Sequence, residues 1–258
     1  MPTHLEAHHS RALGLAPDAG RPAVVLRGVT RRFSRPRAAP LTALDEITFT
    51  VGHGEIVAIV GPSGAGKTTL LELVCRLQEP DHGEVTADAA ALMPQRDLLL
   101  PWLDTLDNAG LALRIAGRSR PAARREAAAL LEVLGLAGFE QVRPDQLSGG
   151  MRQRVAFART LLSGRPLLCL DEPFGALDAI TRMELQSWLA RALAREPRTV
   201  LLVTHDVEEA IVLADRLLIL SPRPGRLVAE FRIDAPRPRS RTDPALVALR
   251  ARVLEALR

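Results

Sequence analysis

The segment Gly61-Pro62-Ser63-Gly64-Ala65-Gly66-Lys67-Thr68-Thr69 has the residue types and spacing of a phosphate cradle, G-x-x-x-x-G-K-[ST]. It follows an apolar run, Ile56 to Val60, and precedes a helical pattern from Thr69 to Leu77, the strand, loop and helix setting that such a cradle needs. Glycines let backbone N–H groups turn inward, and the helix N-terminus adds partial positive charge. Lys67 reaches the β and γ phosphates, and the Thr68 hydroxyl can ligate magnesium. The alternative is a chance glycine-rich turn. Against it stands a compositional fact: of the 34 basic residues only Lys67 is a lysine, so this position needs a compact point charge and not a planar fork.

Three further groups could carry chemistry. The run Leu167 to Leu170 ends in two adjacent carboxylates, Asp171 and Glu172, and ionised carboxylates at a sheet end cost desolvation. Asp171 is placed to hold magnesium through water and Glu172 to polarise an attacking water as general base, although the pair alone also fits a solvated strand end. Ser148-Gly149-Gly150, ahead of a helical run from Val155 to Leu162, offers a hydroxyl and open N–H groups to an anion, or is an ordinary Ser-capped helix start. A second anion site beside a phosphate loop implies a second use. His205, just past the run Thr199 to Val203, is on spacing alone a satisfied structural histidine.

The runs Glu55 to Val60, Leu167 to Leu170 and Thr199 to Val203 read as buried strands separated by helical stretches, hence a parallel sheet with crossover helices. Ala23 to Val29 and Ile47 to Val51 alternate as half-buried strands of an antiparallel layer, with residues 34–40 as the loop between them. Thr105 to Ala116 and Pro121 to Leu134 form an inserted helical subdomain, about 97–155. Residues 1–21 read as a disordered tail in which His4, His8 and His9 have no function, and 22–226 as the main domain. Residues 227–258 read as a tail with a short helix that sets Leu246, Leu249, Val253 and Leu257 on one side.

A chain of 258 residues can bury a large core, and no run approaches the about 18 apolar residues of a membrane span. Nothing at the N-terminus marks export, so the expected compartment is the cytoplasm and any membrane role comes through a partner. A net charge of +4 could suggest nucleic acid, but the basic residues are dispersed and aromatics are only 3%, leaving few rings for bases, so no nucleic acid is expected. Cys75 and Cys169 read as buried free thiols.

Leu147-Ser148-Gly149-Gly150-Met151-Arg152-Gln153-Arg154 resembles the signature of ABC ATPases, and the remaining motifs follow in family order: Gln95 after an apolar run, Asp178 closing Gly175-Ala176-Leu177-Asp178, and His205 in Val203-Thr204-His205-Asp206. The resemblance covers roughly Val24 to Arg226. It implies an α/β fold: a phosphate-loop NTPase (RecA-like) core with a parallel sheet, an N-terminal antiparallel β subdomain and an inserted helical subdomain. It also implies hydrolysis of ATP with Mg2+ by a homodimer of cassettes, in which Ser148, Gly149 and Gly150 grip the γ-phosphate of ATP held by the other subunit's phosphate loop. By the same resemblance Lys67, Glu172 and His205 are catalytic, His205 holding the water that Glu172 activates. Gln95 joins Thr68 and Asp171 at the metal, Asp178 belongs to the nucleotide-binding set, and Phe33 supplies the adenine-stacking ring where the family usually has tyrosine.

Met93 to Trp102, Asp171 to Arg182 and Leu220 to Arg226 resemble the nitrate, sulfonate and taurine importer ATPases, whose relatives serve thiamine-pyrimidine precursors. This implies two membrane permease subunits as partners, a substrate-binding protein indirectly, and a peripheral position on the cytoplasmic face of the cell membrane. The apolar run Leu98 to Trp102 is either buried core or, by resemblance, part of the groove for a permease helix. A non-transport ABC ATPase of DNA repair or translation is the competing reading. It lacks a second cassette, a Cys-x-x-Cys zinc module and a long heptad insertion. A monomeric phosphate-loop kinase or GTPase leaves the signature without a purpose.

Overall fold

The computed structural model describes residues 21–257. Its strands are β1 (Val24–Arg35), β2 (Ala38–Val51), β3 (Ile56–Val60), β4 (His82–Ala87), β5 (Ala90–Met93), β6 (Leu167–Asp171), β7 (Thr199–Thr204), β8 (Arg216–Leu220) and β9 (Leu227–Arg232). Its helices are α1 (Lys67–Val74), α2 (Thr105–Ala109), α3 (Leu111–Ile115), α4 (Arg120–Val133), α5 (Gly149–Leu161), α6 (Ala179–Arg195), α7 (Val207–Leu213) and α8 (Pro244–Ala256). One sheet runs β5-β6-β7-β3-β8-β9, parallel except for β9, and a second, antiparallel, runs β2-β1-β4.

The central strands are continuous apolar runs because both of their faces are covered. Ile56, Ala58 and Val60 of β3 join Val200 and Leu202 of β7 in a core shared with α2 to α8, whereas Val57, Ile59, Leu201 and Val203 face a second core built with α1 and the antiparallel sheet. Parallel register sets the strand ends level, Val60 beside Thr204 and Ile219, and Asp171 beside Val203. The phosphate loop, the Asp171–Glu172 pair, His205 and the turn after β8 therefore emerge along one carboxyl edge of the sheet, where open α/β sheets bind ligands.

This is the α/β phosphate-loop NTPase fold, with α2 to α5 inserted between β5 and β6. Some sequence expectations differ from it locally. Residues 34–40 are not a loop: β1 and β2 continue to an Arg35–Ala38 pair, with Arg37 at φ 60 in the turn, because an exposed two-stranded ribbon tolerates the arginines and prolines that read as loop. The helix over 105–116 is two helices meeting at Gly110, where a Cβ would stand 3.1 Å from the carbonyl oxygens of Ala123 and Leu106. Residues 227–258 hold β9 as well as the expected helix, and Leu246, Leu249 and Val253 of that helix are buried in the main core. Leu98 and Trp102 are 61% and 67% exposed, which removes the buried-core reading of that run. Cys75 and Cys169 are both free thiols; Cys169 is buried as expected, whereas Cys75 is only half-buried. Apart from Arg21, the expected tail 1–21 lies outside the described residues, and among those described no helix is long and apolar enough to cross a membrane.

Asp206 caps α7 by accepting from the N–H groups of Glu208 (2.9 Å) and Glu209 (3.2 Å), which fixes Glu209 on the inner face of the helix. Burial, with Asp206 adding to it and the Thr204 hydroxyl opposing, pushes the Glu209 carboxyl up to about 8. Unfolded, the same group titrates at about 4.3. Between these values the native state holds the extra proton, so stability falls as pH rises through the window. Glu209→Gln keeps the neutral form, and its thermal midpoint is expected to exceed that of the unmodified protein by a margin that grows from about pH 5 to about pH 8.5. A margin independent of pH would show that Glu209 does not carry this titration.

Candidate active site

The phosphate loop is held where side chains would not fit. A Cβ on Gly61 would stand 2.9 Å from the Leu220 carbonyl oxygen, and one on Gly66 2.7 Å from Leu44 Cδ2. Gly66 also has φ 94, open to glycine but not to most residues, and its carbonyl accepts the first bond of α1 from the Leu70 N–H. Lys67 opens α1 and its ammonium turns back into the loop, donating to the carbonyls of Gly61 (2.8 Å) and Pro62 (3.0 Å). An ammonium has three N–H groups, so one remains for a phosphate. Burial holds the Lys67 ammonium below its usual range, against the pull of Glu172 and Asp171. Ala65 is buried behind the loop, and Pro62, Ser63 and Gly64 form its exposed rim.

Asp171 ends β6 almost fully buried, and the Thr68 hydroxyl donates to its Oδ2 at 2.7 Å. Burial nevertheless pushes the Asp171 carboxyl up, the mark of an anion short of positive charge. Glu172 follows at φ 47, although it precedes Pro173, and a residue before proline favours extended backbone. Three bonds hold it there: its N–H donates to the Val203 carbonyl (2.8 Å), and its own carbonyl accepts from Gln153 Nε2 (2.9 Å) and the Gly175 N–H (3.1 Å). The carboxylate is clamped in turn, with Gln95 Nε2 donating to Oε2 and His205 Nδ1 beside Oε1, each at 3.0 Å. Strained backbone of this kind persists where its surroundings over-determine it, a common state at reactive sites.

Phe33, Ser63, Gly64, Gly66, Lys67, Thr68, Thr69, Gln95, Asp171 and Glu172 line one cleft. Phe33 pairs with Leu41 across the β1–β2 ribbon, and the Arg31 guanidinium lies 4.9 Å from its ring centre. His205 is exposed and joins the cleft through Glu172. Ser148, Gly149, Gly150 and Asp178 do not line it. Ser148 Oγ caps α5 by accepting from the Met151 N–H (3.2 Å), and Asp178 caps α6 by accepting from those of Ile180 and Thr181 (3.1 and 3.0 Å). Ser148, Gly149 and Asp178 are exposed on the chain's surface.

The cleft's oxygen donors suit a hard divalent cation. Asp171 is a buried carboxylate whose desolvation outweighs the pull of Lys67, with a hydroxyl beside it, and Gln95 is close by. Among the described residues no cluster of three or more His, Cys, Asp or Glu side chains is placed to hold a metal ion.

Gln153 escaped the sequence reading as a positioning residue. It is buried on α5, donates to the Glu172 carbonyl and accepts from the Ala176 N–H (2.8 Å), so it ties the strained turn to the helix that Ser148 starts. A polar residue on the inward face of α5, in line with Phe157 and Thr160, was the available signal. Gln153→Leu removes two hydrogen bonds, one of the two that the Glu172 carbonyl accepts and the one from the Ala176 N–H; the expected loss is about 1–3 kcal/mol of stability in denaturant titration. Turnover is expected to fall more than nucleotide affinity, and equal losses in both would show that Gln153 does not position Glu172.

Residues 44–175 match the ABC transporter family. The aliphatic sulfonates import ATP-binding protein SsuB 2 of Burkholderia cenocepacia (strain HI2424) is 45% identical over 234 residues, 87% of this chain and 85% of that protein. The formylaminopyrimidine import ATP-binding protein ThiZ of Halalkalibacterium halodurans is 48% identical over 195 residues, 74% of this chain and 78% of that protein. Among solved structures, a dimeric post-hydrolysis ATP-binding cassette bound to ADP and Pi superposes with a TM-score of 0.76 and 30% identity, covering 82% of this chain and 99% of its own. With its cleft, its signature and these relatives in agreement, the chain belongs to the ABC transporter family as one of its ATP-hydrolysing cassettes.

Proposed function

We propose that two copies of this cassette close on two ATP molecules and drive an importer through two membrane permease subunits. The observation that carries the hydrolytic part is the Glu172 carboxylate, held at 3.0 Å by both Gln95 and His205 beside the phosphate loop. In this reading adenine stacks on Phe33 and the phosphates lie along Gly61 to Thr69, with Lys67 on the β and γ groups. Glu172 takes a proton from water as the water oxygen attacks the γ-phosphorus; the bond to the bridging oxygen breaks, and ADP and phosphate leave. His205 and Gln95 exchange their bonds to Glu172 for bonds to that water and the γ-phosphate. Thr68, Asp171 and Gln95 would hold Mg2+, which when bound offsets negative charge on the phosphate oxygens.

The exposed position of Ser148 and Gly149, outside their own cleft, supports their action on ATP in the partner's cleft, where the N–H groups opening α5 meet an anion. Asp178, itself exposed, shapes the turn between Glu172 and α6. For the permease, the supporting feature is the apolar Leu98 to Trp102 run, which follows Gln95 directly and leaves Leu98 and Trp102 largely uncovered. The cassette then sits peripherally on the cytoplasmic face of the membrane. The names of its relatives, together with the motifs around Trp102 and Arg226, support a cargo of the sulfonate, taurine, nitrate or thiamine-precursor class, brought to the permease by a substrate-binding protein.

Glu172→Gln preserves shape but cannot accept the proton. The variant is expected to bind ATP normally, to lose at least about a hundredfold in turnover and to accumulate as an ATP-bound dimer in size-exclusion chromatography. Turnover near the unmodified rate would reject Glu172 as the base. Action in trans is tested by mixing Lys67→Ala with Ser148→Arg in the presence of permease: the heterodimer has one intact composite site, so hydrolysis is expected to return. No recovery, combined with a rate per subunit that is independent of protein concentration, would reject the paired arrangement.

A further inference from the structure

Residues 221–226, between β8 and β9, form a motif that the site described above does not use. Ser221 draws the segment into a closed turn: its N–H donates to the Arg226 carbonyl (2.9 Å), and its hydroxyl accepts from the Arg226 N–H (3.0 Å) and faces the carbonyls of Pro222 and Pro224 (2.9 Å each). Gly225 fastens the turn to β2, donating to the Ala43 carbonyl (2.9 Å) and accepting from the Asp45 N–H (3.0 Å). A Cβ on Gly225 would stand 2.1 Å from the Ala65 carbonyl oxygen, so only glycine lets the turn lie this close to the phosphate loop. Arg226 adds an ion pair, Nε to Asp45 Oδ2 at 2.9 Å.

The residue this scaffold presents is Arg223. Its Nε donates to the Gly64 carbonyl of the phosphate loop at 3.1 Å, and it lines the cleft alongside Lys67, Asp171 and Glu172. Among the described residues it has no carboxylate partner. The carbonyl bond orients the guanidinium plane and occupies one of its five N–H groups, leaving the terminal donors that pair with phosphate oxygens. The cleft's other cation, Lys67, is already matched by two carboxylates, so an entering polyphosphate brings negative charge that Lys67 alone does not balance.

We propose that Arg223 is a second cationic contact for the nucleotide, meeting its terminal phosphate beside Lys67. The inference rests on the ATP-site reading above and adds to it a residue that no motif of the nucleotide-binding set contains. The test is calorimetric titration of the full chain with ATP and with ADP, in EDTA so that metal-dependent turnover does not interfere, for the unmodified protein, Arg223→Met and Arg223→Lys. Arg223→Met is expected to weaken ATP about tenfold and ADP by less, with a shallower salt dependence of ATP affinity, and Arg223→Lys to fall between. Unchanged ATP affinity, including the case in which only dimer formation responds, would overturn the proposal. So would equal weakening of ATP and ADP accompanied by a lower melting midpoint without nucleotide, since that pattern belongs to a brace for the loop. If the unmodified protein itself does not bind ATP, the underlying reading fails and the proposal with it, and that arm alone identifies the case.

Discussion

The phosphate loop depends on close packing that three glycines allow around it. Gly61 lies against the Leu220 carbonyl at the end of β8, Gly66 against Leu44 and the Ala43 carbonyl on β2, and Gly225 against the Ala65 carbonyl inside the loop itself. A methyl group at any of these positions would have to push a strand, a ribbon edge or the 221–226 turn away. The antiparallel sheet, the last parallel strand and that turn are therefore fitted to the cradle and are more than decoration around it. β9 follows from the same constraint: a turn fixed to both Ala43 and Asp45 returns the chain beside β8, where pairing satisfies the strand's backbone.

Charge burial sets the second condition. Lys67 and Asp171 are buried with opposite signs, and each is shifted toward its neutral form by desolvation. The arrangement stays tolerable because every charged or polar group has a local partner: Lys67 has two loop carbonyls, Asp171 has Thr68, and Glu172 has Gln95 and His205. Each of these bonds can be exchanged for one to a phosphate oxygen, a metal or a water. Exchange costs little because a hydrogen bond is replaced by another, whereas leaving any group unpaired would cost its full desolvation.

The parts of this site legible from the chain alone are those whose geometry is local. A phosphate loop, a strand ending in two carboxylates and a Ser-capped helix are each written in consecutive residues, and β3, β6 and β7 declare themselves because burial on both faces makes them uniformly apolar. Gln153 and Arg223 act across distance, on partners 19 and 159 residues away, and no local pattern announces such pairs. The 34–40 ribbon and β9 were hidden for another reason: the ribbon is exposed throughout and carries arginine and proline as a loop would, and β9 alternates between exposed and half-buried with no buried position.

The long-range bonds also bear on how one cleft can sense the other. Gln95 holds Glu172, and two residues on, Asp97 accepts from Arg152 of α5 at 3.0 Å; Arg152 donates as well to the Leu147 carbonyl (2.7 Å), next to Ser148. Arg159, in the last turn of the same helix, holds the carbonyls of Asp97 and Leu98, and Gln153 ties the helix to the Glu172 carbonyl. Gln95 and Glu172 in the cleft, the exposed apolar segment at Leu98 and the start of α5 are thus joined through α5 by hydrogen bonds and the short backbone stretch from Gln95 to Leu98. If Ser148 serves the partner's ATP, a shift of Gln95 on phosphate release moves a residue of the opposite site through a contiguous set of bonds. The coupling then needs no separate device, because the same helix is shared by the exit of one reaction and the closure of the other.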